Sequence, residues 1–121
     1  MIDLKTEYAG LKLRNPLIAG SSGLTNNPER NKEFEKAGVG AIVLKSLFEE
    51  QIEMQSSNLL KDFDYPEASD YVQEYVKVNQ VNEYLELIKK TKELCTIPIS
   101  ASINCYKADK WIDFARQIEL A

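Results

Sequence analysis

Three short apolar runs, each giving way to small or polar residues and each separated by an amphipathic stretch, most constrain what this chain can fold into. The runs are Leu17-Ile18-Ala19, Gly40-Ala41-Ile42-Val43-Leu44 and Ile97-Pro98-Ile99-Ser100-Ala101-Ser102-Ile103. Residues 28–37, 80–94 and 108–121 carry helical spacing. Strand–helix alternation of this kind predicts an α/β fold with a parallel sheet, because parallel strands need a long crossover between them.

Local signals sharpen the boundaries. Residues 3–14 read as a hairpin, with Thr6-Glu7-Tyr8 and Leu11-Lys12-Leu13 flanking an Ala9-Gly10 turn. Asn27 is placed to cap a helix that opens on Pro28 and stops at Gly38. Leu17-Ile18-Ala19 reads as the first buried strand, and Gly40–Leu44 as a strand buried on both faces. Residues 80–94 predict a helix with Val81, Tyr84, Leu85, Ile88 and Leu94 on one face. Ala108–Ala121 predicts another, with Trp111, Phe114, Ala115 and Ile118 inward. The acidic stretch from Glu49 to Lys77, with Asp62, Asp64, Glu67, Asp70 and the breaker Pro66, shows no clear period and reads as an irregular surface or lid.

Composition excludes several classes. A net charge of −4 over 121 residues gives no basic footprint for nucleic acid. No apolar run reaches the roughly 18 residues of a membrane span. The start MIDLKTEYAG has neither the basic nor the apolar region of a signal peptide. Two cysteines, Cys95 and Cys105, are too few for a disulfide scaffold and lack metal-ligand spacing, which points to free thiols in the cytoplasm. The chain has no histidine, so the commonest general base and metal ligand are missing.

The strand ends carry the candidate site. Side chains alternate along a strand, so Leu17, Ala19 and Ser21 share one face, as do Ala41, Val43 and Lys45, and Ser100, Ser102 and Asn104. Ser21, Lys45 and Asn104 are therefore expected near one another at the C-terminal ends of three strands. That is the end at which (β/α)8 barrels build their active sites. Lys45 closes an apolar strand, where it either finds a compensating partner or emerges into solvent. Cys105 is a candidate nucleophile with no base in the chain, and reads as an inert thiol. The last helix ends without a capping glycine, and three βα units close no barrel. The chain is thus expected to be the N-terminal portion of a longer one, with an open sheet edge that favours self-association.

The segments LKLRNPLIAGSSG, EKAGVGAIVLKS and PISASIN together resemble the N-terminal part of the dihydroorotate dehydrogenase family, over most of the chain outside residues 50–80. The resemblance implies a hairpin plus about three βα units of an FMN-binding (β/α)8 barrel. It implies an oxidoreductase acting on a dihydroorotate-like small molecule in pyrimidine biosynthesis. Ala19, Gly20, Ser21, Ser22, Lys45, Ser46 and Asn104 would then contact the flavin, with Lys45 also at the substrate. The family's catalytic base and phosphate-binding strands would fall beyond Ala121, leaving this piece alone inactive and poor in flavin. The family's orotate loop has no counterpart around DFDYPEASDYVQEYVKVNQ, so the dihydroorotate dehydrogenase-like branch fits better. A flavin enzyme with another substrate, and a non-catalytic ligand-binding module, are the alternatives.

Overall fold

A computed structural model describes residues 2–60 and 68–121. In chain order the elements are β1 (Thr6–Tyr8), β2 (Leu11–Leu13), β3 (Ile18–Ala19), a 3-10 turn (Gly23–Thr25), α1 (Pro28–Ala37), β4 (Ala41–Val43), β5 (Leu47–Phe48), α2 (Glu49–Leu60), α3 (Ala68–Leu94), β6 (Ile99–Ser100), β7 (Ile103–Asn104) and α4 (Ala108–Leu120). The fold is mixed α/β, in two compact units. The first comprises Met1–Ser46 and Leu87–Ser102, the second Leu47–Glu86 and Ile103–Ala121.

In the first unit, β1 and β2 pair antiparallel across Ala9 and Gly10, whose φ values are 50° and 79°. Positive φ at both central positions is the hairpin turn whose twist matches the strands it joins. Strands β3, β4 and β6 form one parallel sheet in that order, with Ile18 opposite Ala41 and Ile42 opposite Ile99. Pro98 donates nothing to this ladder but its carbonyl accepts from Ile42 N at 3.1 Å, which suits a proline at a strand start. The central strand β4 and the residue after it carry the core: Ile42 and Leu44 are fully buried, with Leu13, Leu87, Ile88 and Ile97 also buried in this unit. The expectation that Leu17-Ile18-Ala19 is a buried strand is corrected. Leu17 and Ile18 are exposed, because β3 is an edge of the sheet.

Helix α1 begins and ends where its sequence signals place it. The Asn27 side chain accepts from Arg30 N, Pro28 occupies the first turn, and Gly38 takes φ 110° as the left-handed cap. The Asn15-Pro16 step is held against the far end of α1: Asn15 Nδ2 donates to Gly38 O at 2.7 Å, and Arg14 donates to the carbonyls of Glu35 and Val39.

In the second unit, β5 and β7 pair in parallel, Leu47 opposite Ile103 and Phe48 opposite Asn104. The continuous strand expected over Ile97–Ile103 is therefore two strands in two sheets. β6 pairs with β4 and β7 with β5, and the Ala101-Ser102 break matches the break between β4 and β5. The acidic stretch also differs from expectation, since α2 and the first half of α3 make most of it helical. Its period is hidden by its chemistry. The buried face of α2 is Glu49, Ile52 and Ser56, while Met54 and Leu59 are exposed. On α3, Val72, Val76, Val81 and Tyr84 are buried, but Tyr71, Tyr75 and Val78 face outward and blur the pattern. Asp62, Asp64, Pro66 and Glu67 lie outside the described residues.

Further along α3, in the first unit, Leu87 and Thr91 are inward and Leu94 is exposed, opposite to the expectation for Leu94. In α4 Trp111 and Phe114 are buried edge-to-face, 5.3 Å between centroids, and Phe114 meets Tyr84 at 6.3 Å. Ala115, expected inward, is exposed, and Ile118 is half-buried. Among the described residues no helix is long and apolar enough to cross a membrane.

Candidate functional site

Three hydroxyls meet at the C-terminal ends of the three parallel strands of the first unit. Ser21 follows β3, Ser46 follows β4 and Ser102 follows β6. Ser21 Oγ lies 3.0 Å from Ser46 Oγ, and Ser46 Oγ lies 2.6 Å from Ser102 Oγ. These contacts use two of the three hydroxyl protons. Linked hydroxyls also polarise one another, which strengthens each as a donor.

The neighbouring residues leave room beside this chain. Gly20 is exposed, and a Cβ placed on it would meet no heavy atom within 4 Å. Ser22 turns inward on its own loop: its Oγ accepts from Leu24 N at 3.1 Å, while its backbone N donates to Thr25 Oγ1 at 3.3 Å. This reciprocal cap rigidifies the loop that carries Ser21. Ala19 is the last residue of β3 and half-buried. Lys45 is half-buried between the fully buried Leu44 and Ser46, and makes no hydrogen bond or ion pair among the described residues. Asn104 lies in the second unit, exposed, on β7.

Of the expected trio Ser21, Lys45 and Asn104, the contacts within the first unit thus join Ser21 to Ser46 and bring in Ser102, which sequence reading had placed on the right face without giving it a role. The signal was present. The β6 strand stops at Ser100, so Ser102 is two residues past its strand, as Ser21 is two past Ala19.

Two buried carboxylates brace the backbone, one in each unit. Glu35, on α1, accepts from Thr96 N at 2.6 Å, Ile97 N at 3.2 Å and Lys32 Nζ at 2.9 Å. Burial pushes its carboxyl up, but the hydrogen bonds from Lys32, Ile97 and Thr96 outweigh burial and hold it below the ordinary value. Glu49, on α2, accepts from Tyr106 N at 2.9 Å and Lys107 N at 3.2 Å. Burial again pushes upward, and the Tyr106 and Lys107 amides together with the Trp111 indole bring the carboxyl below its ordinary value. Lys107, at the N-cap of α4, supplies no side-chain cap, so Glu49 braces the turn entering that helix from another element. Next to it, Glu53 accepts from Lys107 Nζ at 2.7 Å and from the Tyr106 hydroxyl. Sequence reading missed both, placing Glu49 at the start of the acidic surface stretch and giving Glu35 no role.

Burial raises the thiol of Cys95, and the charge of Glu35 adds to it, against an opposing pull from Lys32. Burial and the charge of Glu49 raise Cys105 likewise, with Lys77 opposing. Both shifts favour the neutral thiol over the thiolate. Among the described residues no group of three or more histidines, cysteines or acids is placed to hold a metal ion. Comparison with known protein families, with characterised proteins and with solved structures finds no match.

Proposed function

We propose that this chain is the N-terminal part of an FMN-dependent oxidoreductase resembling dihydroorotate dehydrogenase, its hairpin and βα units belonging to a (β/α)8 barrel. The observation that carries the reading is the meeting of Ser21, Ser46 and Ser102 at the C-terminal ends of three adjacent parallel strands, with Lys45 beside them. Barrel enzymes place their chemistry at that end. The donor set fits a flavin: hydroxyls for its heteroatom edge, a lysine for its pyrimidine side, and open space over Gly20 for a flat ring. Bound there, the flavin would supply hydride acceptance, while the protein positions it and tunes its charge. Ala19, Gly20, Ser21, Ser22, Lys45 and Ser46 would hold it. The unpaired Lys45 would also meet the anionic edge of a dihydroorotate-like substrate. The free thiols Cys95 and Cys105 support a reducing compartment, the cytoplasm.

The test is the visible spectrum of the native gene product, then anaerobic addition of dihydroorotate. Bound FMN bleached by dihydroorotate is the expected result. Bound FMN that stays oxidised makes this a flavin enzyme with another substrate. A colourless protein that takes up no added FMN overturns the reading and leaves a ligand-binding module.

A further inference from the structure

Asn31 is completely buried in α1, where leucine would be a more ordinary occupant. Its amide does two things leucine would not. Nδ2 donates to Thr25 O at 3.4 Å and to Thr91 Oγ1 at 3.3 Å. Thr25 and Thr91 are themselves buried, at 1% and 0% exposure. The other half of the amide is a liability, because Oδ1 has no partner among the described residues. A buried acceptor without a donor costs stability. The side chain therefore carries a net burden unless its donor end is useful.

What the donor end holds is the loop after β3. Thr25 closes the reciprocal cap with Ser22, through Thr25 N to Ser22 O at 3.1 Å and Ser22 N to Thr25 Oγ1 at 3.3 Å. That cap fixes the backbone directly after Ser21, whose hydroxyl meets Ser46. Asn31 thus links α1, the loop and, through Thr91, α3, all within the first unit.

We propose that Asn31 is a positioning residue that fixes the Gly20–Thr25 loop, and through it the Ser21 hydroxyl, by donating from the protein interior to the Thr25 carbonyl. Its consequence for flavin binding rests on the function proposed above; its consequence for the loop does not.

The experiment compares Asn31→Leu, Thr91→Val and Thr91→Ser in the full chain. Three quantities are read: global stability in urea, hydrogen exchange at the Ser22, Leu24 and Thr25 amides, and FMN affinity of the native gene product. Asn31→Leu is expected to speed exchange at those three amides about tenfold beyond any global change, and to weaken FMN about tenfold. Thr91→Val should do the same to a smaller degree, and Thr91→Ser, which keeps the hydroxyl, should restore wild-type exchange. If Asn31→Leu fails to fold, the Thr91 pair decides alone. Loop exchange that follows global stability in every variant overturns the proposal. A wild-type protein without FMN sinks the functional reading, and the exchange data still decide the role of Asn31.

Discussion

Lys45 sits one residue past a side chain with no exposure at all, yet its own ammonium is unpaired among the described residues. The strand holds the stem and leaves the charge to be used. A reduced flavin gathers negative charge on its pyrimidine edge, and a fixed cation in a water-poor site stabilises it more than the same cation in bulk water. If the proposed flavin site is the function, Lys45→Ala is expected to weaken FMN about tenfold, equal to about 1.4 kcal/mol, and to make the bound flavin harder to reduce. The circular dichroism should stay unchanged. Lys45→Arg should recover only part of the loss, because a planar fork replaces a point charge. Flavin titration and reduction potential check both; wild-type values in the alanine variant would make Lys45 an ordinary surface lysine. At this scale strand parity grouped Ser21 with Lys45, whereas its hydroxyl contact is to Ser46, because both serines lie past the paired residues of their strands. Ile97–Ile103 read as one strand where β6 and β7 are two, which hid the position of Ser102 just past a strand end.

Elements were legible in proportion to how much of their chemistry is local. The hairpin turn and both ends of α1 could be read directly, because a positive φ and a helix cap leave residue signatures. Ala9 pays for φ 50° with a Cβ that a left-handed residue does better without. Ala9→Asn or Ala9→Gly is therefore expected to raise stability by about 0.5–1 kcal/mol, seen as a higher urea midpoint at constant slope. Gly38→Ala, at φ 110°, should lower it by about 1 kcal/mol or more. Gly40→Ala should be worse, because its Cβ would overlap the Asn15 carbonyl oxygen, which is backbone and cannot step aside. A Gly40→Ala variant as stable as wild type would show that the Asn15 turn is softer than its geometry implies. By contrast α2 and the first half of α3 were illegible, since a glutamate and a serine occupy the inward face of α2 and two tyrosines the outward face of α3. Only the tertiary partners of Glu49 explain why it faces in.

For the molecule as a whole, one braced carboxylate in each unit is expected to link stability to pH among the described residues. Glu35 holds Thr96 and Ile97, and Glu49 holds Tyr106 and Lys107. Both titrate below the ordinary carboxylate value of 4.5. A carboxyl whose value falls on folding binds protons more tightly in the unfolded chain, so unfolding takes up protons once the pH is low enough. Its stabilisation is complete above about pH 4.5 and is lost as pH falls through the lower, folded value. The protein is thus expected to hold a level urea midpoint near neutrality and to lose stability steeply below about pH 4.5. Glu35→Gln and Glu49→Gln should each cost about 1–3 kcal/mol at pH 7, since an amide oxygen accepts more weakly and its NH2 faces other donors. Each should also flatten the acid limb, because the substituted site no longer titrates. The two losses should add if the braces act independently. Urea midpoints for both single variants and the double variant, measured from pH 3 to pH 7, check this. An acid limb as steep in the double variant as in wild type would assign acid unfolding to other carboxylates and reduce these two to ordinary hydrogen-bond acceptors.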